Sequence, residues 1–131
     1  MKKEIQVSTG QQVELKDITS EVQDLARESG VAEGICVVYC PHTTAALAIN
    51  ENADPDVARD LEKAFWETVP PVDFRHAEGN SPAHYLSCMV GPSQQILISN
   101  GRLQLGRWQG IYFCEFDGPR RRTVWVKFIE G

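Results

Sequence analysis

The apolar residues of this chain of 131 residues occur in short runs separated by turn-forming residues. Most runs are rich in β-branched and aromatic side chains, which is typical of buried or half-buried strands. None approaches the ~20 consecutive apolar residues that a membrane-spanning helix needs. The sequence therefore predicts strands in EIQVST, near Val13 and Leu15, and in GICVVYC, TTAALAINEN, QQILISN, GIYFCEFDG and TVWVKFIE.

Three segments carry the signals of helices. Residues 20–29 place their apolar side chains on one helical stripe, with Thr19 or Ser20 as the N-terminal cap. The dipeptides DP at 54–55 and SP at 81–82 each combine a capping residue with a proline suited to the first turn. Helices are therefore expected from each of these starts.

Composition and element pattern together predict the fold class. The apolar fraction is 42% and the charged fraction 24%, which is ordinary for a globular chain and argues against wholesale disorder. Strands with two or three helices among them indicate a single α+β domain over residues 1–131. We expect two layers, with a largely antiparallel sheet that carries the helices on one face.

The charge of the chain limits its partners. The formal net charge is −5, which argues against a general nucleic-acid coat protein because such proteins need a dominant basic field. Basic residues outnumber acidic ones only in residues 79–131. A locally basic region on an acidic protein suits a site for a small anion, although solvated surfaces of opposite sign give the same pattern.

The cysteines and the N-terminus indicate the compartment. Cys36, Cys40, Cys88 and Cys114 form no C-x-x-C pair, so the sequence does not support a zinc ribbon or a thioredoxin-type site. We expect four reduced structural thiols. The segment MKKEIQVSTG lacks the apolar region of a secretory signal. These observations predict a cytoplasmic protein with neither a membrane nor a nucleic acid as partner.

The only three histidines, His42, His76 and His84, all lie in loops or at the ends of elements. The helix start at Ser81 should leave backbone N–H groups free, and free N–H groups at a helix N-terminus bind anions. His84 would lie in the first turn close to that site and His76 on the loop that leads into it, so a bound phosphate could meet two imidazoles that bind charge or move protons. A capped loop with exposed histidines is the alternative.

A second polar cluster, Asn50-Glu51-Asn52-Ala53-Asp54, ends an apolar strand. A carboxylate with carboxamides could hold Mg²⁺ or orient a polar substrate. If residues 42–50 are extended, His42 and Asn50 lie roughly 26 Å apart and cannot serve one site within one subunit. Either the chain bends there, or the site combines residues from different subunits.

A third cluster combines carboxylates with arginines. Period-two alternation places Glu115 and Asp117 on one strand face, and it likewise pairs Arg120 with Arg122 while Arg121 faces the other side. Two guanidinium groups on one face could clamp a phosphate or a diphosphate bidentately. A hairpin with a solvated basic end is the alternative.

No GxGxxG, Walker A or GxSxG motif is present. The ordered set HTTAALAINENADP, RHAEGNSPAH, GPS, NGRLQLGRWQ and EFDGPRRR spans nearly the whole chain and resembles the YjbQ family. The resemblance implies a homotrimer with pockets between subunits and a low, secondary thiamine-phosphate synthase activity, which joins a pyrimidine methyl diphosphate to a thiazole phosphate. It also adds Gln109 to the expected site. Arg107 and Phe74 depart from the family pattern.

The leading hypothesis is therefore a trimeric transferase that acts on a small phosphorylated molecule, and the small residues of TTAALAIN are expected to lie against a neighbouring subunit. The alternatives are a module that binds a divalent metal (Zn or Mg) or phosphate without turnover, and a structural trimer. The expected catalytic residues are His76, His84 and Glu115, with Glu115 orienting a histidine or an amine. The expected substrate-binding residues are Asn50, Glu51, Asn80, Ser81, Gln109, Asp117, Arg120 and Arg122. The expected metal ligands are His42, His76 and His84.

Overall fold

The computed structural model describes all 131 residues, which form eight strands and three helices. In chain order the elements are β1 (Lys3–Ser8), β2 (Glu14–Asp17), α1 (Thr19–Ser29), β3 (Gly34–Tyr39), β4 (Ala45–Glu51), α2 (Pro55–Glu67), α3 (Ser81–Val90), β5 (Ser93–Ser99), β6 (Arg102–Leu103), β7 (Gln109–Glu115) and β8 (Arg121–Glu130). The strands lie close to the apolar runs of the sequence, with β6 as a short addition.

The strands divide into two antiparallel sheets. One has five strands in the order β1-β8-β3-β5-β6, and the other has three in the order β2-β7-β4. The main core lies between the sheets, because its 17 buried residues come from both of them and from α1. The α+β class with antiparallel strands and three helices is thus confirmed, but the strands form a sandwich and not one continuous sheet.

Strand β7 is covered on both faces. Ile111 and Phe113 point into the core between the sheets, whereas Tyr112 and Cys114 belong to a second cluster on the opposite face. That second cluster also includes side chains of α2 and α3. Two helices therefore cover the outer face of the three-stranded sheet, as expected, while α1 packs against the main core.

The helix starts show which sequence signals were correct. The Asp54 side chain accepts a hydrogen bond from the Asp56 N–H at 2.9 Å, as the capping residue of α2 should. At α1 the prediction was wrong, because the carboxylate of Asp17 binds the Thr19 N–H at 2.9 Å in place of a Thr19 or Ser20 cap. None of the three helices combines the length and the hydrophobicity that crossing a bilayer requires.

The first half of strand β4 is buried by other parts of the same chain. Ala45, Ala46 and Leu47 are fully buried, and the Leu47 N–H donates to the Gly91 carbonyl while its own carbonyl accepts from Gln94. The expectation that this small-residue strand lies against a neighbouring subunit is therefore wrong for its first half. Its small side chains permit close packing between β7 and α3.

Three connections cross from one sheet to the other at the same end of the sandwich. They are residues 9–13 between β1 and β2, residues 40–44 between β3 and β4, and residues 116–120 between β7 and β8. The start of α3 lies at this end as well, because Asn80 contacts Asp117. The candidate site is built on these connections.

Candidate functional site

A buried ion pair forms the floor of the site. Among the residues whose side chains point between the two sheets, Glu115 is the last in β7 and Arg122 is the first in β8. Their side chains are 0% and 6% exposed, respectively. The Arg122 Nε donates to Glu115 Oε1 at 2.9 Å, and its Nη2 donates to Glu115 Oε2. Alternation along both strands places the two side chains between the sheets, where each is the ion-pair partner of the other.

Two threonines complete this pair. Thr9 Oγ1 donates to Glu115 Oε1 at 2.8 Å, and Arg122 Nη2 donates to Thr44 Oγ1 at 2.9 Å. The turn at Gly118 packs closely on the same group, since a Cβ at that position would lie 2.8 Å from Glu115 Cγ and 2.2 Å from the Gln11 carbonyl oxygen. The network therefore joins all three connections between the sheets.

Glu115 is held in its charged form. Burial alone would raise its pKa, but the hydrogen bonds from Arg122, Thr9 and the Asp117 N–H, together with the Arg122 charge, lower the pKa below its ordinary value. Glu115 contacts no histidine. The expectation that it orients a histidine or an amine is corrected accordingly, because its oxygens are used by Arg122, Thr9 and Asp117.

A second, more exposed pair lies above the first. Asp117 Oδ2 accepts hydrogen bonds from Arg120 Nη2 at 2.9 Å and from Asn80 Nδ2 at 3.0 Å. Burial opposes the charge on Asp117, yet the hydrogen bonds from Asn80 and Arg120 outweigh it and lower the pKa of the carboxyl group. Asn80 Oδ1 is buried and has no hydrogen-bond partner.

These groups border a cavity of about 330 Å³ in which Pro41 is the one apolar residue and all the other lining side chains are polar or charged. Its walls come from residues 41–44, from residues 78–84 and from residues 117–122. Arg120 and Arg122 both line it, as the alternation predicted. Each guanidinium is already bound to a carboxylate, however. The expected clamp of two guanidinium groups that are both free to bind phosphate therefore does not exist. What each arginine offers the cavity is Nη1, which makes no hydrogen bond within the chain.

His42 is the histidine that the fold holds most firmly. Its Nε2 accepts a hydrogen bond from the Thr123 N–H at 3.0 Å. Burial and the nearby positive charge of Arg122 lower the pKa of the imidazole. Both effects favour the neutral form of His42.

His76 and His84 form a separate pair. Their ring centroids are 5.7 Å apart with an edge-to-face arrangement, and His76 Nε2 lies 3.8 Å from Glu78 Oε1. His84 lines the cavity, whereas His76 is exposed on the loop beside it. No three His, Cys, Asp or Glu side chains of the chain converge as metal ligands. The expected set of His42, His76 and His84 is thus not assembled within one chain.

The start of α3 offers less to an anion than the sequence indicated. Pro82 has no N–H, and the N–H groups of Ala83 and His84 both donate to the Asn80 carbonyl. Only the Ser81 N–H in this turn is unbonded, and Ser81 does not line the cavity. The first turn therefore contributes His84 to the site, and not a row of free amides.

The second polar cluster lies at the other end of the sandwich. Strand β4 pairs Ala45 with Glu115 and Glu51 with Gln109, so the two clusters are six residues apart along one strand pair. At about 3.3 Å per residue this is roughly 20 Å. Asn50, Glu51 and Gln109 do not join the histidine cavity within one chain.

Several groups in that second cluster have structural roles. Asn52 Nδ2 donates to Asp17 Oδ2 at 3.0 Å, and Gln109 Oε1 accepts from the Gly106 N–H at 2.7 Å. Asn50 Oδ1 accepts from the Glu51 N–H at 2.8 Å. The Glu51 carboxylate makes no hydrogen bond or ion pair within the chain and is the free acidic group at this end.

Sequence reasoning missed three residues of the site. Thr9 and Thr44 complete the buried pair, and Glu78 lines the cavity. Thr44 stands in the CPHTT segment beside His42, which is a local signal. No local signal marks Thr9, because its partner Glu115 is 106 residues away in the chain.

Comparison with known proteins places the chain in a family. A family model described as UPF0047 protein YjbQ-like matches residues 3–131. UPF0047 protein YugU of Bacillus subtilis is 52% identical over 132 residues, which cover 98% of this chain and 99% of that protein. A UPF0047 protein of Methanocaldococcus jannaschii is 50% identical over 125 residues, which cover 95% of this chain and 91% of that protein.

Solved structures agree with this assignment. The crystal structure of a YjbQ/UPF0047 family protein from Clostridium acetobutylicum has a TM-score of 0.92 at 54% identity, covering 96% of this chain and 98% of that one. A hypothetical protein from Aeropyrum pernix has a TM-score of 0.94 at 36% identity, covering 100% of this chain and 99% of that one. This chain, with its two sheets and three helices, therefore belongs to the YjbQ-like UPF0047 family.

Proposed function

We propose that this protein binds a small phosphorylated molecule in the polar cavity beside Arg120 and Arg122. The observation that carries the proposal is a cavity lined, apart from Pro41, by polar and charged side chains, in which both arginines keep Nη1 unbonded. Guanidinium N–H groups form strong, charge-assisted hydrogen bonds to phosphate oxygens. The buried Glu115 fixes the position of one guanidinium, and Asp117 fixes that of the other.

We propose further that the site is catalytic and resembles thiamine-phosphate synthase in the reaction type. In such a transfer a diphosphate leaves the pyrimidine methyl carbon, and the nitrogen of a thiazole phosphate forms the new bond. The arginines would stabilise the negative charge on the departing diphosphate. His84 lines the cavity and is the candidate for proton transfer to that group, with His76 beside it.

Assembly into a homotrimer in the cytoplasm is part of this proposal. The outward face of the five-stranded sheet exposes Tyr39, Leu97 and Ile129, and Tyr39 stacks on Trp125 with ring centroids 5.8 Å apart. A contiguous exposed apolar face is typical of a protein–protein contact. Association would also give the second polar cluster around Glu51 a route to a neighbour's cavity.

The binding proposal is tested by titration calorimetry with diphosphate. Arg120→Ala should weaken binding about 10- to 100-fold, since a hydrogen bond to a charged group contributes about 1.5–3 kcal/mol. Arg121→Ala is the matched control, because Arg121 is also exposed, pairs with Ser8 on β1 and does not line the cavity. Equal losses in both variants would indicate a diffuse basic surface and would refute the site.

The catalytic proposal needs a separate measurement. Release of diphosphate from the two phosphorylated precursors should be detectable in the wild type and lost in His84→Ala, while diphosphate binding persists. Binding without any release of diphosphate would favour the second candidate, a phosphate-binding module without turnover. Light scattering tests assembly, and a wild-type mass of one protomer at micromolar concentration would refute the trimer.

A further inference from the structure

We propose that His42 is a neutral hydrogen-bond donor that presents Nδ1–H to an anionic oxygen of the ligand. The inference rests on the proposed function for the identity of the ligand. A metal ligand uses a nitrogen lone pair, whereas His42 in this role uses an N–H group. The role also differs from the proton transfer proposed for His84.

The first step is the hydrogen bond at the other ring nitrogen. The Thr123 N–H can only donate, so the Nε2 that it contacts at 3.0 Å must be unprotonated. The opposite ring orientation would place the Cε1–H group against this N–H, which provides no acceptor. A neutral imidazole with a bare Nε2 carries its proton on Nδ1. The backbone of β8 therefore selects the tautomer of His42.

The second step is the charge of the surroundings. Arg122, Arg120 and Glu115 act on the charge of His42, Cys40 lies beside it, and Glu78, His84 and Asp117 line the same cavity. Burial and Arg122 oppose a positive charge on the ring and outweigh Glu115, which favours one. Protonation would also require Nε2 to give up its hydrogen bond with Thr123. The imidazole therefore remains neutral, and its Nδ1–H acts as a hydrogen-bond donor beside the two guanidinium groups.

The third step concerns what His42 cannot do. A general base or a metal ligand needs a free ring nitrogen with a lone pair. Nε2 uses its lone pair on Thr123, and Nδ1 has a proton in place of one. His42 lines the cavity and its Nδ1 makes no hydrogen bond within the chain. Donation to a ligand oxygen is the remaining function of that nitrogen.

The tautomer can be measured without any ligand. The chain has three histidines, so long-range ¹H–¹⁵N correlation spectra of labelled protein contain three ring systems, and the His42→Asn spectrum identifies the signal of His42. We expect a protonated, pyrrole-type Nδ1 and a bare, pyridine-type Nε2 at neutral pH. A protonated Nε2 in the wild-type spectrum would overturn the proposal, whatever the ligand.

The donor role is tested with inorganic phosphate and two matched variants. His42→Asn places an amide near the position of Nδ1, and His42→Gln places one near the position of Nε2. We expect His42→Asn to bind phosphate within about threefold of the wild type, and His42→Gln and His42→Ala to lose about tenfold or more. Thermal melting shows that each variant is folded before its affinity is compared.

The outcomes separate this inference from the proposed function. If wild-type protein binds no phosphate and no diphosphate, the proposed function and the donor role both fail, while the tautomer remains as measured. If the wild type binds phosphate but His42→Gln retains its affinity, or His42→Asn loses as much as His42→Ala, the donor role alone is refuted.

Discussion

Removal of the Glu115 carboxylate should be among the most damaging single substitutions in this chain. Glu115 is fully buried, and it accepts hydrogen bonds from Arg122, Thr9 and the Asp117 N–H. In Glu115→Ala, the Arg122 guanidinium stays buried and keeps only its contacts with Thr44. An uncompensated buried charge is the most costly consequence of the substitution.

The expected magnitude follows from this geometry. Breaking a buried ion pair by removing one partner destabilises a protein by about 3–5 kcal/mol, out of a total free energy of unfolding of about 5–15 kcal/mol. With a urea dependence near 2 kcal/mol/M, the unfolding midpoint should fall by roughly 2 M. Urea titration followed by circular dichroism measures the loss as the shift of the unfolding midpoint relative to the wild type.

Two controls separate the buried charge from other effects. Asp24→Ala removes a partner from the exposed ion pair with Arg27 and should cost less than about 1 kcal/mol. The double variant Glu115→Leu, Arg122→Met replaces the pair with apolar groups and should recover most of the lost stability. A loss below 1 kcal/mol in Glu115→Ala, or a double variant as unstable as the single one, would refute this reasoning.

The pH dependence of stability provides an independent check. The folded pKa of Glu115 is lowered from the ordinary value of 4.5, so the stabilisation is complete above that unfolded-state value. It is lost as the pH falls through the folded pKa. Glu115→Gln should therefore show a weaker loss of stability on acidification below pH 4.5 than the wild type.

Three further substitutions or reagents test other parts of the structure. A thiol reagent at pH 8 should modify only Cys88 in the native chain, because the other three cysteines are buried. Burial also raises the pKa of the Cys36 and Cys114 thiols to about 12. Rapid modification of all four thiols would contradict this. Gly110→Ala should destabilise the chain and displace Asn52, since the new Cβ would lie 2.3 Å from Asn52 Nδ2, and an unchanged melting temperature would be the contrary result. Asp54→Ala should cost about 0.5–2 kcal/mol through loss of the α2 cap, measured by urea titration against Asp56→Ala.

Local signals in the sequence were sufficient for the elements of the fold. The run GIYFCEF has no polar alternation, and β7 is indeed covered on both faces, by the core and by α2 and α3. Division of the strands into two sheets could not be predicted in the same way. It depends on which strands pair across long stretches of chain, as β2 and β7 do, and periodicity carries no information about such pairing.

The candidate site was predictable in its residue types but not in its bonding. Alternation correctly turned Arg122 and Arg120 toward one region, and both line the cavity. It could not show that Glu115 and Asp117 already occupy their guanidinium groups, because a nearby carboxylate in the sequence can equally face solvent. The separation of Asn50 from His42 was predictable, since an extended strand fixes distance along the chain.

The two walls of the cavity differ in how firmly the fold supports them. His42, Asp117 and Arg120 belong to connections that the buried Glu115 network joins at several points. Residues 71–79, in contrast, are all exposed and form few backbone hydrogen bonds. Segments with few buried contacts open most readily. A ligand should therefore find the arginine side of the cavity preorganised, whereas the segment that carries His76 and Glu78 should adjust when the ligand binds.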